Sequence, residues 1–101
     1  LLQNGADPNA KKEDGFTALM AAAGYGHPAV AEVLLQNGAD TNAKEEDGFT
    51  ALMWAAQEGH QAVAEVLLQN EADPNAKQED GWTALMRAAQ DGHPAVAEVL
   101  L

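Results

Sequence analysis

Neither cysteine nor serine occurs among the 101 residues of this chain. Without cysteine there is no disulfide framework and no thiolate metal site. Without both, the usual nucleophiles of covalent triads are missing. Aromatic residues are scarce at 5%, and much of the 47% hydrophobic content is alanine. Such a composition suits close packing of helices rather than a large pocket. Basic residues are also few: 5 Lys+Arg stand against 16 Asp+Glu, a net charge of −11. That balance opposes nucleic-acid binding, which depends on neutralising phosphates. It favours solubility and a protein partner with a basic or neutral complementary surface. No apolar run approaches the roughly 18 residues of a membrane span, and no signal-peptide pattern opens the chain. An intracellular, cytoplasmic location without membrane association is expected. No phosphate-cradling glycine motif occurs either, and no cofactor is expected.

What the chain has is an internal period. Thr-Ala-Leu-Met begins at Thr17, Thr50 and Thr83, 33 residues apart, and most of the intervening sequence recurs. A unit of that length repeated three times reads as a stacked solenoid with a small core at each junction. The units are 5–37, 38–70 and 71–101, one continuous repeat domain whose third unit stops within its second helix. Residues 1–4 match Leu34-Leu-Gln-Asn37 and read as the remnant of a preceding second helix. The first two units differ at six of 33 positions.

Each unit has the same grammar. A polar segment rich in Gly, Asn, Asp and Pro punctuates against regular structure. Thr17 is then a good N-cap for a helix over 18–25, with Leu19, Ala22 and Ala23 as its core stripe at i, i+3, i+4. Gly26 ends it. Pro28 sits near the first position of a second helix over 28–37, where its missing N–H costs little. Val30, Val33 and Leu34 are expected on the buried face of that helix and Glu32 in solvent. Gly38 supplies a left-handed cap.

On these residues the chain resembles the ankyrin repeat family. The carriers are Asp14-Gly-Phe-Thr-Ala-Leu-Met20, Ala22-Ala23, Gly26-His27, Val33-Leu-Leu35 and Gly38-Ala-Asp-Thr-Asn-Ala43, with their equivalents one and two periods on. The resemblance spans essentially the whole chain. It implies an all-α fold, an α-solenoid of stacked helix-turn-helix repeats with β-turn fingers, and protein binding through the finger tips and the concave face of the first helices. Two departures stand out. Thr-Ala-Leu-Met replaces the family's usual Thr-Pro-Leu-His, which predicts fewer hydrogen bonds and greasier packing at the methionines. Glu71 replaces the glycine of the other units, where a left-handed backbone is expected.

Positions that vary between units carry the functional signal. On the first helices, residues 21, 24 and 25 and their equivalents share a face distinct from the core stripe. The clusters are Ala21/Gly24/Tyr25, Trp54/Gln57/Glu58 and Arg87/Gln90/Asp91. Phe16, Phe49 and Trp82 precede these helices. All five aromatic residues fall in the variable sets, and Tyr, Trp and Arg are the types that dominate binding hot spots. The candidate partner-binding residues are therefore Phe16, Tyr25, Phe49, Trp54, Glu58, Trp82, Arg87 and Asp91. The finger aromatics can equally serve to cover the helix start, and Arg87 can pair with Asp91 at i+4.

No catalytic, cofactor or metal residue is expected. His27, His60 and His93 recur at the period, and stacked helices about 8–10 Å apart keep them from sharing one ion. Their rings are expected to bond nearby backbone. The acidic pairs Glu13-Asp14, Glu46-Asp47 and Glu79-Asp80 read as a solvated rim, lacking the alternating ligands of a calcium loop. The function expected is a protein–protein interaction module and not an enzyme. The alternative is an architectural or idealised repeat segment with no ligand of its own. Both termini fall within a second helix, so a segment of a longer array is expected, with end-to-end self-association through the uncapped repeats as the other reading.

Overall fold

Three threonine hydroxyls start the fold. Thr17, Thr50 and Thr83 accept from the backbone N–H groups of Met20, Met53 and Met86, each at 3.3 Å. Each satisfies a first-turn donor that has no partner within its own helix. The computed structural model describes residues 4–101. Six helices follow one another there: α1 (Ala18–Tyr25), α2 (Pro28–Gln36), α3 (Ala51–Glu58), α4 (Gln61–Gln69), α5 (Ala84–Gln90) and α6 (Pro94–Leu100). Most of the expected remnant at residues 1–4 lies outside the described residues.

The helices pair as α1–α2, α3–α4 and α5–α6, and the pairs stack side by side. The first helices α1, α3 and α5 form one layer and α2, α4 and α6 the other. The result is elongated, 43 × 26 × 20 Å. Among the described residues no helix is long and apolar enough to cross a membrane.

Small side chains let the layers approach. Leu19, Ala22 and Ala23 are buried as expected, as are Leu52, Ala55 and Ala56 in α3. Met20 and Met53 are each 1% exposed, so the greasier packing expected of the methionines is present at two of the three positions. Met86 is 48% exposed. The valines show the opposite gradient. Val63 and Val96 are buried, whereas Val30 is 51% exposed. Each junction therefore buries the methionine of one pair and the valine of the next. This corrects the reading of α2. Val30 and Val33 face solvent because no described helix lies on their side of the stack, and Leu34 is only half-buried. Residues of identical local sequence take their burial from their neighbours.

Hydrogen bonds index one pair onto the next. The side chain of Asn9 accepts from the Asp40 N–H at 2.7 Å and donates to the Gly38 carbonyl at 2.9 Å. Asn42 repeats this with Asp73 and Glu71. The ring nitrogen Nε2 of His60 lies 3.1 Å from the Gly24 carbonyl, and that of His93 lies 2.9 Å from the Gln57 carbonyl. His60 and His93 thus bond backbone as expected, but across a junction, whereas His27 is exposed. Gly26 and Gly59, both left-handed helix caps, make room: a Cβ on either would sit 2.6 Å from the facing histidine Nδ1.

Candidate functional site

Between the pairs the chain turns back in tight fingers. The N–H groups of Lys12, Glu45 and Gln78 donate to the carbonyls of Phe16, Phe49 and Trp82 at 3.0, 3.0 and 2.8 Å. Successive fingers are linked by the Glu46 N–H to the Asp14 carbonyl at 2.6 Å and the Glu79 N–H to the Asp47 carbonyl at 3.4 Å. These bonds bring Phe16, Phe49 and Trp82 to the start of their first helices, half-buried.

The helix residues one turn further on interleave with them. Trp54 stands between Phe16, with ring centroids 5.9 Å apart and edge to face, and Phe49 at 4.7 Å. Arg87 stands between Phe49 and Trp82, its guanidinium 5.0 and 4.8 Å from the ring centroids. Lys12 covers the outer end, 5.7 Å from the Phe16 ring. One ladder therefore runs Lys12–Phe16–Trp54–Phe49–Arg87–Trp82 across all three pairs. Edge-to-face rings and cations over rings attract through the ring quadrupole, each contact contributing about 0.5–1.5 kcal/mol. Arg87 also donates from Nε to the Gln78 side chain at 2.7 Å. Asp91, the residue that i+4 spacing offers it, is instead the C-cap of α5.

The candidate residues thus divide. Phe16, Phe49, Trp54, Trp82 and Arg87 are brought together in the ladder. Tyr25, Glu58 and Asp91 stand clear of it on the ends of α1, α3 and α5; all three are exposed, Tyr25 at 76%. Two cavities open along this face. One, of about 340 Å³, lies between α1 and α3 against Phe16, Ala21, Gly24, Tyr25, Trp54 and Glu58. The other, of about 540 Å³, lies between α3 and α5 and is lined by Gln57, Glu58, Arg87, Gln90 and Asp91. The Trp54 indole Nε1 is buried and has no hydrogen-bond partner.

Sequence reasoning missed Gln78. It is 6% exposed and holds Arg87 in place. The signal was available, since 12, 45 and 78 form one of the variable sets and carry Lys, Glu and Gln. It also treated Gly24 only as a member of a cluster, whereas its missing side chain opens the first cavity. Among the described residues no group of three or more His, Asp or Glu side chains is gathered as a metal site.

Comparison with known proteins is consistent along the chain. A family model described as ankyrin repeats (3 copies) matches residues 1–78, and one described as ankyrin repeat matches residues 80–101. None of the curated proteins compared with the chain matches it.

Proposed function

The chain belongs to the ankyrin repeat family, and we propose that it is a protein-interaction module that holds its partner with the fingers and the grooved face of α1, α3 and α5. Ankyrin repeats are generally protein–protein interaction modules and generally non-enzymatic, and no catalytic step is assigned to this chain. The observation that carries the reading is the ladder and what lies beside it. The six ladder side chains pack against one another before any partner arrives, and Tyr25, Glu58 and Asp91 project next to them. A surface ordered in advance loses less entropy on binding than a mobile one. Exposed carboxylates speed encounter with a basic surface, and the net charge of −11 acts in the same direction.

A pull-down with quantitative mass spectrometry tests this. The wild type and a control altered on the second helices, Glu65→Lys/Glu98→Lys, should enrich the same proteins. A Tyr25→Ser/Glu58→Lys variant should lose them. The reading fails if the wild type enriches nothing, or if the double variant keeps every partner.

Self-association is a second property, favoured by the burial gradient. Val30 and Met86 are exposed where Val63 and Met53 are buried. A second copy stacked head to tail would cover both sets as the internal junctions do. Such a contact is heterologous, building a ring where its rotation closes and an open filament where it does not.

A further inference from the structure

Gly24 breaks a local rule with no backbone reason for doing so. It lies in the last turn of α1, one residue before its end, and glycine loses more chain entropy on folding than any other residue. It is not one of the chain's left-handed glycines. A Cβ built on it would meet only the Trp54 side chain, at 3.8 and 4.0 Å, which is ordinary contact. The two equivalent positions carry Gln57 and Gln90. The fold tolerates a side chain here, and the helix would be stabilised by one. What the glycine leaves open is the cavity between α1 and α3. At about 340 Å³ it is at the small end of ligand pockets, which run from about 300 to 1,000 Å³, so it suits one anchoring side chain. Its lining is largely apolar: Phe16, Ala21 and Trp54. The groove between α3 and α5 is the polar counterpart, and Glu58 borders both.

We propose that the two adjoining grooves form one docking site for an extended peptide segment of the partner, in which an apolar side chain fills the Gly24 cavity and a neighbouring Lys or Arg lies between Glu58 and Asp91. This rests on the interaction reading above and names the chemistry of its partner. Charge selects the basic residue. Glu58 and Asp91 are exposed, while the guanidinium of Arg87 is stacked on two rings and its Nε is bonded to Gln78. An acidic segment would meet two carboxylates of its own sign. A wholly apolar one would desolvate them without replacing their hydrogen bonds. A Lys or Arg supplies charge-assisted bonds to both.

The test is a display selection of short random peptides on the wild-type chain, with the selected peptides titrated against two variants. Gly24→Gln fills the cavity with the residue that the equivalent positions already carry. Glu58→Gln/Asp91→Asn removes the charge and keeps the shape. The selected peptides should pair an apolar residue with Lys or Arg. Gly24→Gln should weaken them about tenfold or more while raising the melting temperature, so that lost binding cannot be lost fold. The carboxamide variant should weaken them to a similar degree and flatten the salt dependence. Peptides without a basic residue, or peptides that bind Gly24→Gln as tightly as the wild type, overturn the inference. They leave protein recognition by this face standing if the Tyr25→Ser/Glu58→Lys variant still loses its partners. A selection that returns no binder overturns the inference as well.

Discussion

Glu71 is the one non-glycine residue with a positive φ among the described residues, at 69°. Its equivalents Gly5 and Gly38 adopt 81° and 92°. For an L-residue with a Cβ this backbone costs about 1 kcal/mol, and glycine relieves it. The carbonyl of Glu71 accepts from Asn42, a bond that any residue there would keep. Glu71→Gly should therefore stabilise the chain by about 1 kcal/mol and raise the melting temperature by roughly 4–8 °C, read by circular dichroism. An unchanged or lower value would mean that the side chain recovers the strain. Gly24 is the opposite case. Its φ is ordinary, its replacement by Gln should add about 0.5–1 kcal/mol, and its presence is better explained by the space it leaves than by the backbone it permits.

At the scale of elements, α1 and α3 are each held at their two ends by contacts of different range. The N-terminal threonine is local, and Thr50→Ala should cost about 1 kcal/mol in urea denaturation. The C-terminal glycine is not only local. Gly59 and Gly92 have nearly the same φ, 76° and 73°, yet only Gly59 faces a histidine from the next pair. Alanine at either should cost about 1 kcal/mol in strain. At Gly59 it must also push the His93 ring off the Gln57 carbonyl, worth roughly another 1 kcal/mol. Gly59→Ala should be the more destabilising of the two by about that difference. Equal losses would show that the histidine bond adds nothing to the junction.

The molecule as a whole is a row of junctions, and stability should follow position within the row rather than residue type. Met53 and Met86 occupy equivalent places, one 1% and the other 48% exposed. Met53→Ala should cost about 2–5 kcal/mol, as other buried methionines do, and Met86→Ala well under half of that. Denaturant unfolding of the two variants checks the ratio. The net charge of −11 opposes compaction through self-repulsion. Added salt should raise the melting temperature by screening it, and a salt-independent value would mean that the carboxylates are too far apart to matter. Light scattering against concentration checks head-to-tail association, which Met86→Glu should abolish.

The repeat signal alone was enough for the architecture. Period, threonine caps, terminating glycines and the Leu-Ala-Ala stripe are local and repeated, so helix positions, the cores of α1 and α3 and the strain at Glu71 could all be read from the chain. The candidate face was legible in part. The variable positions gathered residues that lie along one face of the stack, but spacing cannot say which of them touch. That Arg87 turns to Gln78 and two rings rather than to Asp91, that Trp54 wedges between two fingers, and that Gly24 leaves a cavity depend on side chains from different pairs. Identical sequence around Val30, Val63 and Val96 gives exposure in one place and burial in two. What each unit is follows from its own residues, because a helix and its caps are set within a few positions. What each side chain does follows from the stack, because burial and partners come from the neighbouring unit.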